Sequence, residues 1–360
     1  MRVRIARILR PGQKIRVLVV DDSVVIRRLV CHALEEDSEL DVVGVAANGR
    51  IALGRIPQLN PDVITLDIEM PEMDGLEMLR ELRRRDRVTP VVMFSTMTER
   101  GASATFEALS LGADDYVTKA SNAGSLDVSL ANLRHELIPK IRQFFQIASP
   151  EPAPVEPPAR TAAPAASRSE RRVVAIGVST GGPAALAKII PQFPAGFPLP
   201  VFVVQHMPPL FTQLLSERLD SLTPLSVHEG ADGETPVPGH IYVAPGDRHM
   251  RLMNSVQGPA IALDQGPPLN SCRPAADALF GSLAEVYGAA VVAAVLTGMG
   301  HDGMSGAQQL AARGAHILAQ DEETSVVWGM PGAVVGAGVA HEILPLDGIV
   351  PAILREVGCV

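Results

Sequence analysis

The chain has 360 residues, 47% of them apolar and 20% charged, with a net charge of −9 at pH 7. At roughly 150 residues per domain this length makes two or three globular domains, and the composition excludes a wholly disordered chain. The 30 prolines and 31 glycines follow no triplet repeat, and the acidic balance with 4% aromatics excludes both a base-stacking platform and a general polyanion binder.

In chain order, Met1–Lys14 is basic but lacks an apolar core of useful length, and Pro11-Gly12 interrupts it. It reads as a short tail rather than a signal peptide. No apolar run is long enough to cross a bilayer, so a cytoplasmic protein that is not membrane-inserted is expected. Cys31, Cys272 and Cys359 are far apart, odd in number and without a CxxC spacing, which supports neither a zinc site nor a disulfide framework. Short apolar runs at Ile15–Val20, Val42–Ala46, Val63–Leu66, Val91–Phe94 and Tyr116–Thr118 alternate with longer helical patterns. Residues 146–170 are filled with Pro and Ala and show no apolar periodicity, so they read as an extended, flexible linker. Beyond it, Val173–Ile176, Val201–Val204 and Ala289–Leu296 repeat the same alternation. The expectation is two doubly wound parallel-sheet α/β domains, at residues 15–145 and 171–360.

The ends of the first set of runs carry chemistry. Ile15–Val20 leads into Asp21-Asp22, Val63–Leu66 into Asp67, Val91–Phe94 into Ser95-Thr96 and Tyr116–Thr118 into Lys119. In an open parallel sheet the strand carboxyl ends converge on one crevice. Three carboxylates there repel one another unless a cation intervenes, and hard oxygen donors suit Mg²⁺. A carboxylate beside such an ion and a lysine is placed to attack a phosphoryl group. The strings VLVVDDS, ITLDIEMPEMDG, VVMFST and DDYVTK resemble the receiver domain of two-component response regulators, a flavodoxin-like fold. The resemblance implies that Asp67 is the phosphoacceptor, that Asp21, Asp22, Asp67 and the backbone of Glu69 hold Mg²⁺, and that Ser95 and Lys119 contact the phosphoryl oxygens. The family usually has proline after this lysine. Here Ala120 follows, which bears on the geometry of the lysine loop.

The second half places a serine, a histidine and an aspartate at strand ends. Val173–Ile176 runs into Gly177-Val178-Ser179-Thr180-Gly181-Gly182-Pro183, a tight strand-to-helix turn whose N–H groups can receive an anion. Gly177-x-Ser179-x-Gly181 also fits the nucleophile-elbow spacing. Val201–Val204 leads to His206, and Ala289–Leu296 to Asp302. A serine attacked by no stronger base would be inert, whereas a histidine oriented by an aspartate can take its proton. His301, beside Asp302, is a competing base. A metal site from His206, His301 and Asp302 lacks tight ligand spacing, and the glycine spacing fails for a dinucleotide.

The order Ser179, His206, Asp302 differs from the Ser–acid–His order of α/β-hydrolases. The motifs IGVSTGG, VVQHMPPLFT, YVAPGDRHM, LFGSLAEVYG and LTGMGHDGMSGA instead resemble the catalytic domain of the chemotaxis protein-glutamate methylesterases, a Rossmann-like three-layer α/β/α fold. The resemblance implies Ser179 as nucleophile, His206 as base and Asp302 as orienting acid, with Thr180 and the Met299 backbone around the base and oxyanion. It implies hydrolysis of glutamate γ-methyl esters on methylated chemoreceptor cytoplasmic domains, deamidation of receptor glutamines, and no cofactor for the esterase. It further implies a chemotaxis-type sensor histidine kinase as phosphodonor, a monomer, no nucleic-acid partner, and a receiver that covers the serine cleft until Asp67 is phosphorylated. A DNA-binding output domain is disfavoured by the size of the second half and its lack of a basic recognition helix. A general esterase is disfavoured by the chain order. The remaining alternative is a phosphorylation-dependent binding module with little esterase activity.

Overall fold

The computed structural model describes residues 7–86, 88–119, 126–147 and 171–359. They fall into two compact units, one on each side of residue 155.

The first unit contains β1 (Arg7–Leu9), β2 (Ile15–Val20), α1 (Val24–Glu35), β3 (Leu40–Ala46), α2 (Gly49–Leu59), β4 (Val63–Asp67), α3 (Gly75–Arg85), β5 (Val91–Ser95), α4 (Glu99–Leu111), β6 (Asp115–Thr118), α5 (Leu126–Arg142) and β7 (Phe145–Ile147). Five strands form one parallel sheet in the order β3-β2-β4-β5-β6. The central strands β4 and β5 are buried along their whole length, which is why they read as continuous apolar runs without alternation. Helix starts are written in the sequence. Ser23, Asn48, Asp74 and Thr98 each accept a backbone N–H as N-cap, and Asp74 with Glu77 closes a capping box.

Arg7–Leu9 lies inside the expected tail, yet it pairs in parallel with Phe145–Ile147, whose last two residues lie inside the expected linker. A three-residue strand is too short to show periodicity, and only its partner defines it. Ala120 and residues 148–170 of the linker lie outside the described residues.

The second unit contains β8 (Val173–Val178), α6 (Gly182–Ile189), β9 (Val201–Gln205), α7 (Pro209–Asp220), β10 (Ser226–Glu229), β11 (His240–Val243), β12 (His249–Ser255), β13 (Gly258–Asp264), α8 (Ala276–Val286), β14 (Val291–Val295), α9 (Met304–Ala312), β15 (His316–Gln320), α10 (Met330–Gly336), β16 (Glu342–Leu344) and α11 (Leu346–Val357). Seven strands form a second parallel sheet, ordered β10-β11-β9-β8-β14-β15-β16. β12 and β13 make a separate antiparallel hairpin. Met250, Leu252 and Ile261 of that hairpin join Leu279, Phe280 and Leu283 of α8 in the core on one face of the sheet. The run Ala289–Leu296 begins with a 3₁₀ turn at Gly288–Ala290, so the strand itself starts at Val291.

Both sheets contain a point where consecutive connections leave in opposite directions. It lies between β2 and β4 in the first sheet and between β8 and β14 in the second. Open α/β sheets bind their ligands at the carboxyl edge of such a point. Asp21-Asp22 and Asp67 stand there in the first unit, and Ser179 and Asp302 follow the two strands in the second.

Candidate active site and acidic pocket

In the first unit, Asp67 ends β4, Asp21 and Asp22 follow β2, and Lys119 follows β6. One carboxylate oxygen from each aspartate lies within 4.8 Å of those of the others. Lys119 Nζ lies 2.7 Å from Asp67 Oδ2 and 3.0 Å from Asp21 Oδ2. The Ile68 N–H donates to Asp67 Oδ1 at 2.8 Å, and the Ser23 N–H to Asp21 Oδ1 at 2.8 Å. Asp21 and Asp67 are buried while Asp22 is exposed, so the cluster opens to solvent on one side. A cavity of about 300 Å³ sits there, lined by Asp22, Asp67, Ile68, Glu69, Thr96 and Lys119 among others. Burial is the main cause that raises the Asp67 carboxyl to about 6, with Asp21 adding to it and Lys119 opposing it. Burial also disfavours the Lys119 ammonium, but the two carboxylates outweigh it and hold that group above its ordinary value.

Ser95 differs from its expected placement. Its hydroxyl faces α4, donating to Gly101 O at 3.0 Å and accepting from the Thr105 hydroxyl at 2.6 Å. The cavity is lined by the next residue, Thr96. Because side chains alternate along a strand, the last residue of β5 and its successor point to different sides, and the run alone does not say which faces the pocket.

In the second unit, Ser179 follows β8 directly, and its N–H donates to Thr297 O at 3.0 Å. Gly181 takes φ +78°, a left-handed conformation open to glycine, and turns the chain into α6 with Pro183 in its first turn. Gly298, beyond β14, packs so close that an added Cβ would lie 2.8 Å from Ser179 Cβ. Glycine there lets the two strand-end loops meet.

His206 and Asp302 are brought together from 96 residues apart: His206 Nε2 lies 2.8 Å from Asp302 Oδ2. Asp302 is 2% exposed and accepts three further bonds. Ala276 N–H donates to Oδ2 at 2.6 Å, Asp277 N–H to Oδ1 at 3.1 Å, and Asn270 Nδ2 to Oδ1 at 3.1 Å. Ala276 and Asp277 open α8, whose N-cap residue Ala275 makes no side-chain cap. Asp302 therefore caps that helix from a distant loop, with its charge at the positive end of the helix dipole. Burial opposes the Asp302 carboxylate, but His206 and the two N–H groups outweigh it and lower the carboxyl below its ordinary value. Burial likewise opposes an imidazolium at His206, yet the Asp302 carboxylate and the Cys272 sulfur raise it above the ordinary histidine value.

Asp302 holds Nε2 and leaves Nδ1 as the other ring nitrogen. That nitrogen faces Cys272, whose Sγ lies 3.4 Å away. Among the described residues no hydrogen bond joins the Ser179 hydroxyl to His206. Catalytic contacts of this kind are often long before substrate binds. His301 is exposed and Asp302 is committed to His206, so the competing base is not assembled. The alternative metal cluster of His206, His301 and Asp302 does not assemble among the described residues either. Thr180 is buried and its carbonyl accepts from the Thr297 hydroxyl, while Met299 is 40% exposed at the rim.

Four contributors were not anticipated. Thr297 Oγ1 accepts the Val326 and Val327 N–H groups at 3.1 Å each and donates to Thr180 O, tying the loops together. Gln205 Nε2 donates to Ser179 O at 3.0 Å. Asn270 and Cys272 approach the pair from one turn. Polar residues ending apolar runs signal Gln205 and Thr297. Asn270 and Cys272 sit in an irregular stretch with no such signal.

Both halves of the chain match known protein families. A family model described as CheB methylesterase matches residues 174–353, and one described as response regulator receiver domain matches residues 17–131. The chain is 46% identical over 356 residues to a protein-glutamate methylesterase/protein-glutamine glutaminase of Trichodesmium erythraeum, covering 96% of this chain and 99% of that protein. It is 49% identical over 358 residues to a protein of the same name from a Nocardioides species, covering 96% of each. The crystal structure of the Thermotoga maritima CheB methylesterase catalytic domain matches with a TM-score of 0.50 and 43% identity, over 53% of this chain and 99% of that one.

Proposed function

Because this chain belongs to the family of chemotaxis protein-glutamate methylesterases with a receiver domain ahead of the catalytic domain, we propose that Ser179, His206 and Asp302 carry out its ester hydrolysis and that Asp67 is the phosphoacceptor controlling it. The substrate is a glutamate γ-methyl ester on the cytoplasmic part of a chemoreceptor. The matching amide, a receptor glutamine, undergoes the same acyl chemistry.

The observation that carries this reading is the His206–Asp302 pair standing one loop from the Ser179 turn. Ser179 attacks the ester carbonyl while His206 Nδ1 takes its proton, the hydroxyl replacing Cys272 at that nitrogen. Asp302 on Nε2 fixes the tautomer and stabilises the imidazolium. The Ser179 N–H is committed to Thr297 O, so the oxyanion donors come from elsewhere, with the Met299 backbone the candidate at the rim. Each well-aimed donor is worth about 3–4 kcal/mol in other hydrolases. The imidazolium returns its proton to the leaving methanol, and water then resolves the acyl-serine by the same route.

In the receiver, the three clustered carboxylates are hard donors that fit Mg²⁺, held by Asp21, Asp22, Asp67 and the Glu69 carbonyl. When bound, the ion neutralises this acidic cluster and polarises an incoming phosphoryl group. Lys119 already touches Asp67 and is placed to meet the phosphoryl oxygens. For Ser95 to join, its hydroxyl must turn away from Gly101. The phosphodonor is a sensor histidine kinase of the chemotaxis type.

The test separates enzyme from binding module. Ser179→Ala abolishes methanol release from methylated receptor while receptor binding persists. Methanol release that survives Ser179→Ala refutes the assignment.

A further inference from the structure

The turn at Leu269–Cys272 is a two-residue hairpin. Leu269 N–H donates to Cys272 O at 3.1 Å and Cys272 N–H to Leu269 O at 2.8 Å. Asn270 and Ser271, between them, have φ +50° and +62°. Both central residues of such a turn are left-handed, and its shape fixes where the flanking side chains point. It sends Asn270 to Asp302 Oδ1 and Cys272 Sγ to within 3.4 Å of His206 Nδ1. The result is a line of thiol, imidazole and carboxylate, Cys272–His206–Asp302. This is the arrangement by which a histidine activates a thiol, and it shares its base with the proposed serine reaction.

The other two thiols lack this setting. Cys31 is half-buried on α1, where burial and then Glu35 raise it, disfavouring its reactive form. Cys359 is exposed near the end of the chain. Cys272 is only partly buried.

We propose that Cys272 is a thiol-modification site that shuts off the esterase: a low-molecular-weight disulfide reacts there, and the mixed disulfide takes His206 Nδ1 away from Ser179. The inhibitory half of this inference rests on the esterase reading above. His206 Nδ1 takes the Cys272 proton, and the sulfur attacks one sulfur of the disulfide R–S–S–R. A bond forms between Cys272 Sγ and one half. The S–S bond breaks, and the other half leaves as a thiolate that takes the proton from the imidazolium. Cys272 is oxidised and half of the disulfide is reduced. A second thiol reverses both changes. While the adduct stands, its bulk sits at the only ring nitrogen not held by Asp302. General-base catalysis then goes, a factor of about a hundred or more in rate.

The experiment uses the full chain and glutathione disulfide. Peptide mass spectrometry follows adducts on all three cysteines, and methanol release is followed in parallel. Cys272 is expected to react first, about tenfold faster than Cys31. Activity falls in proportion to the Cys272 adduct and returns on adding dithiothreitol. Asp302→Asn, with folding checked by circular dichroism, slows the Cys272 adduct. Whatever activity Cys272→Ser retains is insensitive to the disulfide. Modification of Cys31 or Cys359 ahead of Cys272 overturns the proposal. So does a complete Cys272 adduct with unchanged methanol release, or inhibition that persists in Cys272→Ser. A chain that releases no methanol before disulfide is added refutes the esterase reading and the inhibition with it, while the adduct order still supports or overturns the site itself.

Discussion

Asp302→Asn separates two duties that one side chain performs. The carboxylate accepts four hydrogen bonds, two on each oxygen: His206 and Ala276 on Oδ2, Asp277 and Asn270 on Oδ1. An amide replaces one acceptor oxygen by a donor, so either orientation orphans at least one backbone N–H at the start of α8. If the NH₂ group takes the Oδ2 place, it meets the Ala276 N–H and forces Nε2 to accept, which moves the imidazole proton to Nδ1, where serine needs a base. If it takes the Oδ1 place, it meets the Asp277 N–H at the start of α8. An orphaned buried donor costs about 1–3 kcal/mol, and the catalytic unit loses at least that much. For a unit of this size its melting transition falls by roughly 2–12 °C. Tautomer loss in a serine triad lowers kcat by about 10⁴, or about 5.5 kcal/mol of barrier. Calorimetry reads the first effect and methanol release the second. An unchanged melting transition, or a kcat within about tenfold of the native chain, refutes the assignment of both duties to Asp302.

Asp67→Asn stabilises the receiver. Burial raises the Asp67 carboxyl to about 6, so between the ordinary value near 4 and 6 the folded state holds a proton that the unfolded chain has lost. Stability falls as pH rises through that window, and the full cost of about 3 kcal/mol stands above it. With a chelator present, Asp67→Asn raises the receiver's melting transition above about pH 6 and leaves it unchanged below about pH 4; equal transitions at high pH contradict this. The esterase rate rises with pH as His206 loses its proton. Because Asp302 and Cys272 raise His206 against burial, kcat/KM is expected still to climb near pH 8, and Cys272→Ala moves the limb to lower pH; a plateau already at about pH 6.5 contradicts the pairing. Gly298→Ala drives a methyl into Ser179 Cβ and the Met330 sulfur, and lowers kcat more than about tenfold with little change in receptor affinity.

The parts of the fold legible from sequence are those where one physical pattern dominates. The buried strands β4, β5, β8 and β9 appear as apolar runs because both faces are covered. Their carboxyl ends give Asp67, Ser179 and His206 because polar residues stop each run at the crevice. The hairpin β12–β13 is harder to read. Only one of its faces packs against α8, and it alternates with exposed residues such as Met253, which is 52% exposed. The edge strands β10 and β16 are three or four residues long and take their identity from a neighbour. In the site, sequence order identifies the histidine and the aspartate but not which ring nitrogen the aspartate takes. That follows from α8, whose N-terminus anchors Asp302, and from the Leu269–Cys272 turn, which no periodicity reveals. Ser95 shows the same limit, since the direction of the last side chain on β5 depends on its bond to Gly101 across the turn.

The central claim is that one chain couples phosphorylation at Asp67 to hydrolysis at Ser179. The most direct measurement is methanol release from methylated receptor with and without a small-molecule phosphodonor and Mg²⁺, for the native chain, Ser179→Ala and Asp67→Ala side by side. The account predicts release that the phosphodonor accelerates in the native chain, release in Asp67→Ala that the phosphodonor leaves unchanged, and none in Ser179→Ala. Acceleration that persists in Asp67→Ala, or equal release from all three proteins, would contradict it.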